Sequence, residues 1–227
     1  MMRGRFITLE GTEGGGKSTN ARLVRELLES HGITVVQTRE PGGTVISEAV
    51  RELILKVRKE SFDPLAELLL VFGARAQHIA EVIEPALARG DWVLCERFTD
   101  ATYAYQGAGR GIPAAQIEVL EQLVQDGLQP DLTLYLDVPV AVALERIKNR
   151  RLDRFEREQE VFFERIRNCY LARAKRFRRF STIDAARPLK QVQKDITRRV
   201  EAFLVQSGYR SYKDKANPSK PMRRTTR

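Results

Sequence analysis

The sequence is poor in cysteine, in long apolar runs and, over most of its length, in uncompensated charge. Only Cys95 and Cys169 occur in 227 residues. They have no metal-type spacing and are too few for a disulfide framework, which points to a reducing cytoplasm. No apolar run approaches the ~18 residues of a membrane span. The opening Met1-Met2-Arg3-Gly4-Arg5 lacks the apolar stretch of a signal peptide. There is no internal repeat, and no Asn-Lys-x-Asp to read a guanine base. The formal charge of +9 gathers at one end: residues 209–227 hold seven Lys or Arg against Asp214, a local +6 that leaves +3 for residues 1–208. Any nucleic-acid reading based on charge would rest mainly on that tail, and weakly.

The composition, 42% hydrophobic and 30% charged, suits a globule and is too apolar for a disordered chain. At roughly 150 residues per domain, one generous domain is expected. Short β-prone runs fall at Phe6–Leu9, Ile33–Thr38, Trp92–Cys95, Leu132–Val138 and Phe180–Ile183. Helical patterns separate them at 17–31, 47–59, 64–88 (with a kink at Pro85), 101–106, 113–126, 140–150, 156–179 and 188–206, and Gly107, Gly109 and Gly111 break the chain. Strands apolar on both faces and alternating with helices predict an α/β fold, a parallel sheet between two helix layers. Residues 1–207 form the expected domain. Residues 208–227 have little apolar surface to bury and read as a disordered basic tail.

The sharpest motif is Gly11-Thr12-Glu13-Gly14-Gly15-Gly16-Lys17-Ser18, a full G-x-x-x-x-G-K-[ST] between a predicted strand and a predicted helix. Its glycines let successive backbone N–H groups turn toward phosphate oxygens, and the helix start adds partial positive charge. Lys17 reaches the β- and γ-phosphates, and Ser18 offers a hydroxyl to Mg²⁺. Gly11 to Thr19 is therefore the expected nucleoside triphosphate site. The loop alone names no phosphoryl acceptor.

Four further segments bear on the acceptor: Arg39-Glu40-Pro41-Gly42-Gly43-Thr44, Phe72-Gly73-Ala74-Arg75, Glu96-Arg97-Phe98, and the run from Thr102 to Gly111. With the loop and Leu152-Asp153-Arg154-Phe155-Glu156, in this order and spacing, the set resembles the bacterial thymidylate kinase family. The resemblance runs from about Phe6 to about Val205. It implies the nucleoside monophosphate kinase fold, with a five-stranded parallel sheet, helices on both faces and a mobile lid at about 146–158. It also implies transfer of the ATP γ-phosphoryl group to dTMP with Mg²⁺, giving dTDP and ADP for dTTP synthesis, usually in a homodimer. The alternatives are another nucleoside monophosphate kinase, acting on UMP or dUMP for example, or a nucleic-acid-binding ATPase.

Phosphoryl transfer needs alignment and charge neutralisation rather than a protein nucleophile. ATP with about four negative charges and a monophosphate with about two leave, after one Mg²⁺, a deficit of about four. Lys17 and Arg97 are the first two candidate cations. Arg97 follows the third strand, where ligands gather, and its guanidinium can fork a phosphate. The resemblance makes it the acceptor-phosphate clamp. Glu96 stands where the family usually has Asp, and is either a ligand of Mg²⁺ or its water, or a surface partner of Arg97. Arg146, Lys148, Arg150, Arg151 and Arg154 crowd one stretch. This is either a solvated helix face or, as the resemblance implies, the lid. The phosphate loop has no internal Arg, so in this family the lid would donate the catalytic arginine. Arg150 and Arg154 are the candidates, with Arg146 behind on ATP and the choice between Arg150 and Arg151 open.

For the acceptor nucleoside, Phe72 and Arg75 share a helix face. Phe72 is either the ring stacked on the pyrimidine or plain core, and Arg75 can donate to O4. In some relatives the stacking ring falls at the position of Val71. Thr102, Tyr105 and Gln106 also share a face. The resemblance brings them to the base edge and the sugar, with Tyr105 crowding the 2′ position. It makes Glu13 the acceptor of the 3′-hydroxyl. Arg39 is expected near the acceptor nucleotide, or else at the surface. Asp137 is read as a helix cap rather than a metal ligand, and His31 and His78 as helix-surface residues.

Overall fold

The computed structural model describes residues 3–149 and 152–209. Five strands form one all-parallel sheet: β1 (Phe6–Glu10), β2 (Val35–Arg39), β3 (Trp92–Glu96), β4 (Leu132–Asp137) and β5 (Phe180–Asp184). Their spatial order is β2-β3-β1-β4-β5. From β1 the chain passes to the edge strand β2, returns to place β3 between β2 and β1, and then crosses to the other side for β4 and β5. β1 is thus central and buried at every residue, which is why Phe6-Ile7-Thr8-Leu9 shows no polar face.

Side chains alternate across β1. Ile7 and Leu9 pack with the apolar faces of α1 (Lys17–Ser30) and α9 (Leu189–Gln206). On the opposite side of the sheet, Phe6 and Cys95 meet Ile79, Ile83 and Leu87 from the hairpinless run of α3 (Pro64–His78) into α4 (Glu84–Arg89). Glu10 also faces that side. It is fully buried, accepting from Phe98 N and Tyr170 Oη at 2.8 Å each. Burial, reinforced by the nearby Asp100 charge, pushes its carboxyl up to about 8.

The remaining helices are α2 (Val45–Leu55), α5 (Thr99–Thr102), α6 (Ala114–Gln125), α7 (Val140–Ile147) and α8 (Glu160–Arg176). Thr44 caps α2 by accepting from Ser47 N, and Asp63 caps α3 through Leu65 N and Ala66 N, with Pro64 at the first helical position. The structure adds local detail. At Pro85 a π-helical turn over Ile79–Ile83 runs into α4, a wider turn that accommodates the donor Pro85 lacks. Gly107 and Gly109 lie inside a second π-helical turn, Tyr103–Gly109. A Cβ on Gly109 would come within 2.6 Å of the Phe162 ring, so that glycine permits close packing, and the chain reverses at Gly111 (φ +84°). The folded body also reaches past residue 207. Tyr209 packs edge-on to Trp92, centroids 5.5 Å apart, a contact that its position in a basic segment hid. The tail from 210 onward lies outside the described residues.

Asp100 on α5 is fully buried and ion-paired to Arg173 of α8 at 2.5 Å and Arg179 before β5 at 2.6 Å. It ties three elements together without solvent. Asp100→Ala would leave two guanidiniums without their partner. It is expected to cost about 3–5 kcal/mol, read as a fall in the urea midpoint with an unchanged m-value.

Candidate active site

Because all five strands are parallel, their carboxyl ends open onto one edge. Register places Glu96 beside both Leu9 and Arg39, so the segments after β1, β2 and β3 start side by side. The glycine loop follows β1 and turns into α1 through Gly14 (φ 72°) and Gly16 (φ 82°). A Cβ on Gly14 would meet Ala143 O at 2.5 Å. Lys17 folds back over the loop, donating to Gly11 O (3.0 Å) and Thr12 O (2.8 Å). Burial, and then the Arg97 charge, pull its ammonium down to about 7. Arg146 braces the loop from α7, donating to Gly14 O (3.1 Å) and Ala185 O (3.0 Å). Thr19 lies exposed on the first turn of α1.

Arg97 adopts φ 65°, uncommon for a residue with a side chain. Its N–H donates to Leu9 O at 2.9 Å, which turns the side chain toward the loop. Its Nη2 reaches Glu13 Oε1 (2.6 Å) and Tyr105 Oη (3.1 Å), and Tyr105 Oη is also within 2.7 Å of Glu13 Oε2. Burial pushes the Glu13 carboxyl up, but Arg97, Lys17 and the Tyr105 hydroxyl outweigh it and hold it below its ordinary value. Burial also opposes the charge on Arg97, and Tyr105 and Glu13 more than restore it. Arg97 Nε has no hydrogen-bond partner among the described residues. Ser18 Oγ donates to Glu96 Oε2 at 2.8 Å, so Glu96 turns to the loop rather than to Arg97. Among the described residues no cluster of three or more His, Cys, Asp or Glu could hold a metal ion.

Beside these charges lies a partly open cavity. Of the residues expected at the acceptor nucleotide, Glu13, Arg75, Arg97, Thr102, Tyr105 and Gln106 line it. Arg75 is almost wholly buried. Its Nε donates to Glu40 Oε2 (2.7 Å) and its Nη2 to Thr102 Oγ1 (3.0 Å), while Nη1 has no partner among the described residues. Gln106 Nε2 donates to the buried Glu67 at 2.7 Å.

Several expected residues sit elsewhere. Phe72 is 2% exposed and packs with Leu68, Ile112 and Ile117, its ring lying under the Arg75 guanidinium at 4.8 Å. It supports the arginine, and Val71 lines the cavity instead, because adjacent positions on α3 point about 100° apart. Arg39 points away and pairs with Glu48 at 2.9 Å, about half exposed. Arg51 of α2, held by Pro41 O at 2.9 Å, is the α2-side cation at the cavity. Arg154 is not gathered with Lys17 and Arg97. Its Nη2 pairs with Glu67 (2.6 Å) and its Nε donates to Ile54 O (2.7 Å), because the buried Glu67 carboxylate attracts it. Arg150 and Arg151 lie outside the described residues. Asp137 is clamped by both Arg167 Nε and Nη2 rather than capping a helix. His31 and His78 are buried, not at the surface.

Arg51, Phe98, Asp153 and Phe155 also line the cavity and were not singled out from the sequence. Asp153 and Phe155 belong to a segment noticed for its arginine, and their place beside Arg154 was the available signal. Phe98 stands beside Arg97 in the Glu96-Arg97-Phe98 segment, the same kind of signal, whereas Arg51 had none, since only packing turns it inward.

The sequence model of the family described as Thymidylate kinase matches residues 9–196. A thymidylate kinase of Teredinibacter turnerae is 58% identical over 205 residues, which is 89% of this chain and 100% of that protein. One from Pseudomonas putida is 60% identical over 197 residues, 86% of this chain and 94% of the other. A crystal structure of thymidylate kinase from Ehrlichia chaffeensis superposes with a TM-score of 0.70 at 34% identity, covering 87% of this chain and 99% of that one.

The low value at Lys17 has a measurable consequence. Phosphate oxygens favour the ammonium, so binding a nucleoside triphosphate raises it again. Calorimetry in buffers of different ionisation heat is expected to record uptake approaching about one proton at pH 8.5 and much less at pH 6.

Proposed function

Since this chain belongs to the thymidylate kinase family, we infer that it transfers the γ-phosphoryl group of ATP to dTMP, giving dTDP and ADP in dTTP synthesis. The observation that carries the reading is the contact between two halves of one site. Lys17 of the phosphate loop and Arg97, Glu13 and Tyr105 beside the cavity form one continuous charged cluster. Two nucleotides bound end to end would meet across it.

No side chain has to become covalently attached. The amides of Gly11 to Ser18 and the Lys17 ammonium hold the donor phosphates, with Thr19 and Arg146 flanking them. Arg97 takes the acceptor phosphate. In doing so it exchanges Glu13 for phosphate oxygens, which frees Glu13 to accept from the 3′-hydroxyl. Arg75, Thr102 and Gln106 meet the base, and Tyr105 crowds the 2′ position. Ser18 and Glu96 place two hard oxygens side by side at the mouth of the loop, a donor set that suits Mg²⁺ completed by phosphate oxygens and water. Held by Ser18 and Glu96, Mg²⁺ would supply neutralisation of the negative charge on the donor phosphates. Arg150 and Arg154 are the proposed catalytic arginines of a lid spanning about 146–158. For Arg154 this requires exchanging Glu67 for phosphate.

We propose a homodimer. Supporting this, Val45 and Ile46 on α2, Leu65 and Leu69 on α3, and Val119 and Leu123 on α6 are all exposed, Val45 to 90%, and these helices pack as neighbours. Among the described residues no helix is long and apolar enough to cross a membrane. The proposed location is the cytoplasm, with any nucleic-acid contact weak and confined to the basic tail.

A coupled ATP-consumption assay across the common nucleoside monophosphates tests the reading. dTMP is expected to be the preferred acceptor, and equal or better turnover of UMP or a purine nucleotide would reject it. Lys17→Ala should lose nearly all turnover without loss of fold by circular dichroism. Arg97→Ala should raise the KM for dTMP and lower kcat together, by about 10²-fold or more in kcat/KM, with the KM for ATP little changed.

A further inference from the structure

His78 is fully buried at the end of α3, well inside the domain and without contact to the cavity. Its Nδ1 lies 3.0 Å from Glu40 Oε1, and its Nε2 lies 2.7 Å from Thr38 Oγ1. An ionised carboxylate only accepts, so Nδ1 carries the hydrogen. Thr38 Oγ1 carries a hydrogen that it can donate to the acceptor nitrogen Nε2. The other oxygen of Glu40 receives Arg75 Nε at 2.7 Å. Thr38, His78, Glu40 and Arg75 thus form a single-file chain of hydrogen bonds, each member nearly or fully enclosed except at the Thr38 end.

The chain ends at the cavity. Arg75 spends Nε on Glu40 and Nη2 on Thr102 and lies between the Phe72 and Phe98 rings, at 4.8 and 5.0 Å. Its remaining nitrogen, Nη1, is buried without a hydrogen-bond partner among the described residues, in a side chain that lines the cavity. A guanidinium can only donate, so that position suits a carbonyl oxygen and rejects an amino group. Thymine offers O4 there and cytosine an N4 amino group. The direction of Nη1 depends on Nε, hence on Glu40, hence on the proton donor that fixes Glu40. The packing leaves little slack. A Cβ on Gly43 would come within 2.5 Å of His78 Nε2 and 2.6 Å of Thr38 Oγ1, so the loop after Pro41 closes directly onto the His78–Thr38 pair.

We propose that His78 is a positioning residue for base selection. By donating from Nδ1 to Glu40, it fixes the carboxylate that aims Arg75, and so sets the preference for a pyrimidine with a carbonyl at C4 over one with an amino group. The inference rests on the reading of the cavity as the thymine-nucleotide site. Its role is separable from bulk packing, because Asn and Gln replace different halves of the ring. An Asn amide nitrogen stands near the place of Nδ1, and a Gln amide nitrogen near that of Nε2.

The test compares His78→Asn with His78→Gln, alongside Thr38→Val. It measures kcat and KM for dTMP and dCMP at saturating ATP, the KM for ATP, and the thermal midpoint. In His78→Gln the KM for dTMP is expected to rise at least about tenfold, with kcat changed less than about threefold. The ratio of kcat/KM for dTMP over dCMP should narrow by a similar factor, while the KM for ATP stays constant. His78→Asn should recover most of both losses, and Thr38→Val should fall between. Equal impairment of the Asn and Gln variants, or an unchanged dTMP to dCMP ratio in a folded His78→Gln, would overturn the proposal alone. Failure of the unsubstituted protein to phosphorylate dTMP would overturn the function reading, and this inference with it.

Discussion

The contact on which this architecture turns is the 2.6 Å ion pair between Arg97 and Glu13. It joins the loop after β1 to the turn after β3, adjacent strands whose carboxyl ends open on the same edge. Arg97 can make it only because its backbone takes a left-handed conformation and donates to Leu9 O. Two charges brought this close in a water-poor cleft hold each other ionised against the cost of burial. Lys17, closed over the loop carbonyls, is depressed by its burial and then by the Arg97 charge, which Glu13 only partly offsets. The resting site is therefore an internally compensated cluster whose partners phosphate oxygens can replace.

A second constraint is that the charges inside this fold come in closed sets. Asp100 is matched to Arg173 and Arg179, Glu67 to Arg154, Arg110 and Gln106, and Glu40 to Arg75 and His78. An unpaired buried charge costs more than any of these pairs gains, so each set locks the elements that supply it. The Glu67 set joins α3, the π-helical turn after α5 and the segment after α7. That places Arg154 and Gln106 on opposite oxygens of one carboxylate.

Much of this was legible in the residues. The five strands and the alternation of helices followed from short apolar runs, because a parallel sheet covered on both faces tolerates no polar stripe. The phosphate loop was legible because its chemistry is local: glycines, lysine and serine act at fixed spacing on one turn. Arg75, Thr102, Tyr105 and Gln106 were legible as two helix faces, and all four line the cavity. Phe72 was not, since a helix face 100° wide contains both Val71 and Phe72, and only the contacts of α3 with α6 turn the phenyl ring into the core. Arg39 and Arg51 were exchanged for a similar reason. β2 is an edge strand, and its last side chain finds Glu48 outside while α2 turns Arg51 inward.

The sequence by itself determined the strand–loop–helix phosphate site, the α/β class and the family, because each is written in residues close together along the chain. Tertiary structure alone decided which ionisable groups meet. His78 and Glu40 are 38 positions apart and Arg97 and Glu13 are 84 apart. Their pairing depends on strand order and helix rotation, and on the desolvation that makes an unmatched buried charge too costly to leave. No spacing rule in a single chain encodes those quantities.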